Sequence, residues 1–138
     1  MPEKDSSRRK LTGEKERDLD VRISFMEGLL RRDPGCVEAL QVLGDDYTRR
    51  GRFIESLKVD EQLSQLLPSD PQIQYNLACS HSLNGNFDQA ASALDRALDF
   101  GYRDLKWLSQ DACLSDLRAH PVFRGIRAKI RGMKMNES

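Results

Sequence analysis

Residues 37–70 read VEALQVLGDDYTRRGRFIESLKVDEQLSQLLPSD and residues 71–104 read PQIQYNLACSHSLNGNFDQAASALDRALDFGYRD, two consecutive stretches of 34 residues. Laid over one another they bring their helix-packing positions into register: Leu43 over Leu77, Gly44 over Ala78, Tyr47 over His81, Gly51 over Gly85, Phe53 over Phe87 and Ser56 over Ala90. Small residues match small ones, and large residues mostly match large ones. Self-similarity at a fixed period of this length marks a stack of supersecondary units that bury their apolar faces on one another.

Each unit reads as helix, turn, helix. In the first, Leu40, Leu43, Gly44 and Tyr47 share one face of a helix that ends at Arg49-Arg50-Gly51, and Phe53, Leu57, Leu63 and Leu67 carry the second helix to Pro68. Gly51 can take the left-handed conformation that closes a helix, and the two arginines suit the negative end of its dipole. Asp70 is placed to cap the next helix and Pro71 is preset for its first position. That helix carries Leu77, Ala78 and His81, turns at Gly85 and continues with Phe87, Ala90, Leu94, Ala97 and Leu98. Small residues at Gly44, Ala78, Ala90 and Ala97 let antiparallel helices approach to the short end of the roughly 8–10 Å range.

Working outward, Leu19, Ile23, Met26, Leu29 and Leu30 recur at three- and four-residue spacing before Asp33-Pro34-Gly35, which predicts an amphipathic capping helix over 18–32. On the other side Gly101 closes the second unit. Leu105, Trp107 and Leu108 open a degenerate third unit over 105–131, in which Leu114, Leu117, Val122, Phe123, Ile126 and Ile130 predict a short helix, a break at Pro121 and a final basic helix. Terminal units of a stack differ because one face has no neighbour. Residues 1–17 carry one larger apolar residue after the first methionine, Leu11, and read with 132–138 as flexible tails. The expected layout is half a repeat, two repeats (37–70 and 71–104) and a capping unit.

The Leu-Gly or Leu-Ala pair followed by a Tyr, the turn glycines, Phe53, Phe87, Ala90, Ala97 and Pro68 together resemble the tetratricopeptide repeat. The resemblance implies an all-α fold, a right-handed superhelical stack of antiparallel helix hairpins. It departs from the family pattern at Gln74, where a large residue is usual, at Ser56 and Leu63, where Ala is usual, and at Asp60, where an aromatic or Leu is usual. The segment Trp107-Leu108, Asp111, Leu114, Leu117 and His120-Pro121-Val122-Phe123 is similar to the closing tail that follows such repeats in bacterial proteins.

Composition narrows the function. The 138 residues hold 22 basic and 22 acidic side chains, so no whole-molecule field selects nucleic acid or a membrane surface as the partner. Basic residues do gather at the C-terminal end, at Arg118, Arg124, Arg127, Lys129, Arg131 and Lys134. Three cysteines, Cys36, Cys79 and Cys113, form no CxxC pair, and an odd count suits reduced thiols in the cytoplasm better than a disulfide framework. No stretch approaches the ~20 apolar residues of a spanning helix, and the first ten residues hold no signal-peptide core.

In tetratricopeptide arrays the first helix of each hairpin lines a concave groove that holds a peptide. By register that groove is lined here by Gln41, Val42, Asp45 and Arg49, with Glu38 and Thr48, then by Gln72, Tyr75, Asn76, Cys79 and Leu83, with Ser82, and is extended by Lys106, Gln110 and Cys113. Tyr75 and Leu83 are the expected apolar anchors and Asn76 the polar orienter. One subset of the family grips a C-terminal carboxylate with Lys and Asn side chains. Asn76 and Lys106 fit two of those places, but Asp45 would repel a carboxylate, so tight binding of acidic tails is not expected.

Catalytic chemistry has little to stand on. His81 takes the place of Tyr47 in the core register and His120 precedes Pro121, neither at metal-ligand or catalytic spacing from Cys, Asp or Glu. Asp45-Asp46 reads as solvated helix surface rather than an acid/base dyad. Gly-rich phosphate loops, GxSxG and HExxH are absent from the sequence. Cys79 and Cys113 are again 34 residues apart, but neighbouring helix axes stand farther apart than the roughly 7 Å between alpha carbons that a disulfide spans. The expectation is thus a non-catalytic protein-interaction module without cofactor or small-molecule substrate, binding a protein or peptide in its groove. The rival readings are a basic terminal helix that meets an acidic partner, a membrane surface or nucleic acid, and self-association into a homo-oligomer.

Overall fold

The computed structural model describes residues 12–137, and among them all regular structure is helical. In chain order α1 spans Gly13–Arg32, α2 Val37–Arg49, α3 Phe53–Leu66, α4 Pro71–Leu83, α5 Phe87–Asp99 and α6 Leu105–Gln110. A 3-10 turn over Ala112–Leu114 leads into α7, Ser115–Ala119, and α8, Phe123–Glu137. Each of α1 to α4 packs on the next, so α2/α3 and α4/α5 are the two expected hairpins in an all-helical stack.

The hairpin turns repeat one piece of backbone chemistry. Gly51 donates to Thr48 O at 3.1 Å and Arg52 to Tyr47 O at 2.8 Å; Gly85 and Asn86 repeat the pair on Ser82 and His81, and Gly101 and Tyr102 on Leu98 and Ala97. These paired bonds with positive φ at each glycine, +82°, +75° and +114°, satisfy carbonyls that the helix end would orphan. Asp70 accepts from Gln72 N and Ile73 N, as the Asp-Pro pair predicts.

Two boundaries differ from the sequence reading. Thr12 Oγ1 accepts from Lys15 N and Glu14 and Glu16 sit at the positive end of the dipole, so α1 starts at Gly13 and takes in residues expected in the tail. The rest of that expected tail, residues 1–11, lies outside the described residues. At the other end α8 continues to Glu137, with Met133 packed on the core, where a tail from residue 132 was expected.

The apolar interior forms two clusters. Ile23, Leu40, Leu43, Tyr47, Val59, Leu63 and Ile73 hold α1 to α3 and the start of α4 together. The second runs from Leu77 and Ala78 through Ala90, Leu94 and Leu98 to Leu114, Leu117, Phe123 and Ile126, so α8 closes the stack with its apolar face. A buried polar seam crosses the place where α2, α3 and α4 meet. Ser56 Oγ donates to Gly44 O at 3.1 Å and lies 3.3 Å from Ser80 Oγ, and Ser80 Oγ donates to Asp60. Gln74, also buried, donates to Ser64 Oγ and Pro68 O and accepts from Arg96 Nε at 3.0 Å. The departures at Ser56, Asp60 and Gln74 are therefore not packing faults, because each polar group finds its partner on the neighbouring helix.

Ion pairs fasten both ends. Arg22 grips Asp46 with two hydrogen bonds of 2.6 and 2.5 Å, and Arg50 reaches Asp20 at 2.9 Å and Glu16 at 3.2 Å. Asp46 is fully buried beneath Arg22, which corrects the reading of Asp45-Asp46 as solvated surface: Asp45 is exposed, whereas Asp46 bolts α2 to α1. At the C-terminal end Lys129 bridges Asp95 and Asp99 of α5 at 2.7 and 2.5 Å.

Candidate functional site

The expected groove residues divide by helix. On α2, Glu38, Gln41, Asp45 and Arg49 recur at three- and four-residue spacing and are all exposed, with Val42 and Thr48 half-buried beside them. This is one continuous outward face. On α4 the picture differs, because nine of its thirteen residues are buried between α3, α5 and the 3-10 turn. Gln72 and Asn76 remain accessible and are joined by a 2.9 Å hydrogen bond from Gln72 Nε2 to Asn76 Oδ1, and Leu83 is half-buried against the core.

Tyr75, expected as an anchor for a partner, is 1% exposed. Its ring stacks on Tyr102, centroids 4.2 Å apart and planes within 8°, and its hydroxyl donates to Asp111 Oδ2 at 2.8 Å. Cys79, also expected in the groove, is buried with its Sγ 3.7 Å from the same oxygen. Asp111 is itself 0% exposed; its Oδ1 accepts from Cys113 N at 3.0 Å, and Arg118 secures the backbone by donating to Asp111 O and Leu108 O. Burial pushes the Tyr75 phenol far above its ordinary value and the Tyr102 phenol up to about 12. The cluster is a pin that docks the third unit onto α4, and it removes Tyr75, Cys79 and Cys113 from the groove.

The third unit reaches α4 by an unexpected element. Lys106 and Gln110 lie exposed on the six-residue α6, while the 3-10 turn and α7 pack on α4. Asp111, in extended conformation, stops α6 and caps the 3-10 turn, so the helix never grows long enough to form a second groove wall.

In exchange, the accessible face extends towards the N-terminus. Lys15, Asp18, Leu19 and Arg22 of α1 join Arg49 of α2 around a shallow cavity of about 240 Å³. Three of these five residues are cationic and one is acidic. Lys15 fell inside the expected tail, so only the start of α1 at Gly13 reveals it. Tyr47, buried on α2, donates to Glu27 at 2.5 Å and lies under the Arg52 guanidinium at 4.8 Å; burial, then the Glu27 bond, raises its phenol far above the ordinary value.

The basic C-terminal segment from Arg118 onward spends much of its charge and its apolar side inside the fold. Lys129 is paired with Asp95 and Asp99, Arg118 holds two carbonyls, and Arg127 lies 5.0 Å from the Phe123 ring. Phe123 and Ile126 are buried, and Val122, Ile130 and Met133 pack against the core. Arg124, Arg131 and Lys134 remain exposed. Both histidines are engaged structurally: His81 is buried with Nδ1 3.3 Å from Asn86 Nδ2, and His120 stacks on Phe87 and accepts from Val122 N. No described helix is long and apolar enough to cross a membrane.

No family model matches the chain. It is 30% identical over 98 residues to a chloroplastic protein from Arabidopsis thaliana, a match covering 69% of this chain and 29% of that protein. It is also 30% identical over 83 residues to Superkiller protein 3 from Schizosaccharomyces pombe, covering 60% of this chain and 6% of that protein. The chain thus spans less than a third of the length of either relative, and with its two hairpins in a 34-residue register it is a helical-repeat protein similar to a segment of each.

Proposed function

We propose that the chain is a tetratricopeptide-type repeat that acts as a non-catalytic protein-interaction module, an adaptor or scaffold working in the cytoplasm. It binds a peptide or partner surface on the face running from the α1 cavity across α2 to the edge of α4. The observation that carries this reading is the unbroken exposed row Gln41, Asp45 and Arg49, continuous at Arg49 with Lys15, Asp18 and Arg22, with Gln72 and Asn76 accessible on α4. These side chains are presented by rigid helices, the arrangement that keeps the ordering cost of binding low. Val42 and Leu83 supply apolar contact along the same face. Its mixed charge, Lys15 and Arg49 beside Asp18 and Asp45, suits a partner carrying both signs rather than a purely acidic tail.

The test is capture from native extract with three baits: the intact chain, Asp45→Arg with Arg49→Glu, and Arg124→Glu with Arg131→Glu and Lys134→Glu. All five positions are exposed, so the fold is retained in each. Loss of a partner from the α2 variant alone is the expected result. Loss from the C-terminal variant alone, fading with salt, would move the function to α8 and overturn the assignment.

A further inference from the structure

Helix α1 is apolar on two opposite sides. Leu19, Ile23, Met26 and Leu30 face the stack, whereas Val21, Phe25 and Leu29, at four-residue spacing with Gly28 among them, point away from it and are 70%, 62% and 36% exposed. The end face of a helical stack normally needs a polar outer surface, so a stripe of this kind calls for a cover. The chain's own residues 1–11 are poor cover, since Leu11 and the first methionine are their larger apolar side chains beside Glu3, Lys4, Asp5, Arg8, Arg9 and Lys10.

The charges around the stripe identify what fits it. Place a second α1 antiparallel to the first, with the two-fold axis at Phe25. Phe25 then meets Phe25 of the other copy, Val21 meets Leu29 and Asp18 meets Arg32, because each residue faces the one equally far beyond Phe25. The flanking pair is of opposite sign and occurs twice in an isologous interface. Asp18 and Arg32 are exposed and take no part in the ion pairs that bolt α1 to α2 and α3. The antiparallel arrangement also opposes the two helix dipoles, and the small Gly28 lets the backbones approach. We infer that the outer face of α1 is a homodimer interface, in which two copies join end to end through Val21, Phe25 and Leu29 with Asp18–Arg32 pairs setting the antiparallel register.

One helix against one helix buries less than the roughly 1,200 Å² of a standard interface, so the dimer is a weak one, forming at about micromolar concentrations or above. It leaves the α2 row proposed for partner binding open, the two faces meeting only at Asp18.

Sedimentation velocity on the full chain tests the inference. The expected mass rises with concentration from the 15.8 kDa of one chain towards twice that. Phe25→Glu, at an exposed position, leaves the helical circular dichroism unchanged and weakens dimerisation at least ~30-fold. Asp18→Arg and Arg32→Asp each create two like-charge pairs and weaken it about tenfold, yet an equimolar mixture of these two variants dimerises again, because each now complements the other. The variant Asp45→Arg with Arg49→Glu dimerises normally. A chain that stays monomeric to several hundred micromolar (~100-fold above the expected range), or a dimer indifferent to Phe25→Glu, overturns the proposal. Failure of the mixed charge variants to recover overturns the antiparallel register.

Discussion

Gly44 lies inside α2 at the polar seam, and replacing it with alanine sets two effects of known sign against each other. Alanine is favoured over glycine within a helix by about 1 kcal/mol. Against this, a Cβ on Gly44 would stand 3.1 Å from Asp60 Oδ1 and 3.4 Å from Val59 Cγ1. The second contact is ordinary; the first requires the carboxyl to move. Asp60 is buried and accepts from Ser80 Oγ, so retreat strains that bond. Overpacking of this kind costs about 1–3 kcal/mol. The clash is with the end of a short side chain rather than with backbone, so we take about 2 kcal/mol. The net expectation is a loss of about 1 kcal/mol, or about 3–5 °C in Tm for a domain of this size. In an Asp60→Ala background the close contact is gone, and Gly44→Ala should instead stabilise by about 0.5–1 kcal/mol. Urea unfolding followed by far-UV circular dichroism on the four proteins of this cycle gives the coupling directly. If Gly44→Ala stabilised the native background by its full helix-propensity gain, or cost the same with and without Asp60, the packing argument would be refuted. The second repeat carries Ala78 and Leu94 at the positions of Gly44 and Asp60, which agrees with an alanine being accepted where no carboxyl stands opposite.

Tyr75→Phe removes the hydroxyl that Asp111 accepts and leaves a buried carboxyl short of a donor, so unfolding experiments should show a loss of about 1–3 kcal/mol. Ser82 Oγ is buried without a hydrogen-bond partner among the described residues, and Ser82→Ala should raise stability by about 1 kcal/mol in the same assay. Stability should also fall at both pH extremes. Burial holds the Tyr102 phenol up to about 12 and Tyr75 higher still, so the folded chain keeps protons that the unfolded chain releases above about 10; stability is full below that and drains as pH rises, and Tyr102→Phe makes the loss shallower. Burial holds His81 below its ordinary 6.5, so the unfolded chain takes up the proton first and stability drops as pH falls below that value, a drop that His81→Asn should reduce in urea midpoints measured across pH.

Much of the stack is legible from residue spacing. Gly51 and Gly85 mark their turns because only glycine takes positive φ there without strain, and Asp70-Pro71 marks a helix start because capping is a local matter. The outward face of α2 is likewise readable, since Gln41, Asp45 and Arg49 follow the helical period and nothing packs over them. The fate of Tyr75 is not readable in this way. Its exposure depends on Tyr102, Asp111 and Arg118, residues up to 43 positions away whose approach is set by how the degenerate unit folds back. Asp46 misled for the same reason: a carboxylate next to Asp45 reads as surface until Arg22, 24 residues earlier, is found lying over it.

The sequence by itself determined the two-hairpin repeat, the turn positions and the small residues at helix crossings, because these follow from helical periodicity and backbone sterics within a few residues. Tertiary structure alone decided that the buried carboxyls of Asp46, Asp60 and Asp111 are satisfied, that α4 is covered by the third unit, and that α1 turns a second apolar side outward. Burial and hydrogen-bond pairing depend on what crosses in space, and a residue's own helix period says nothing of the helix that comes to lie against it.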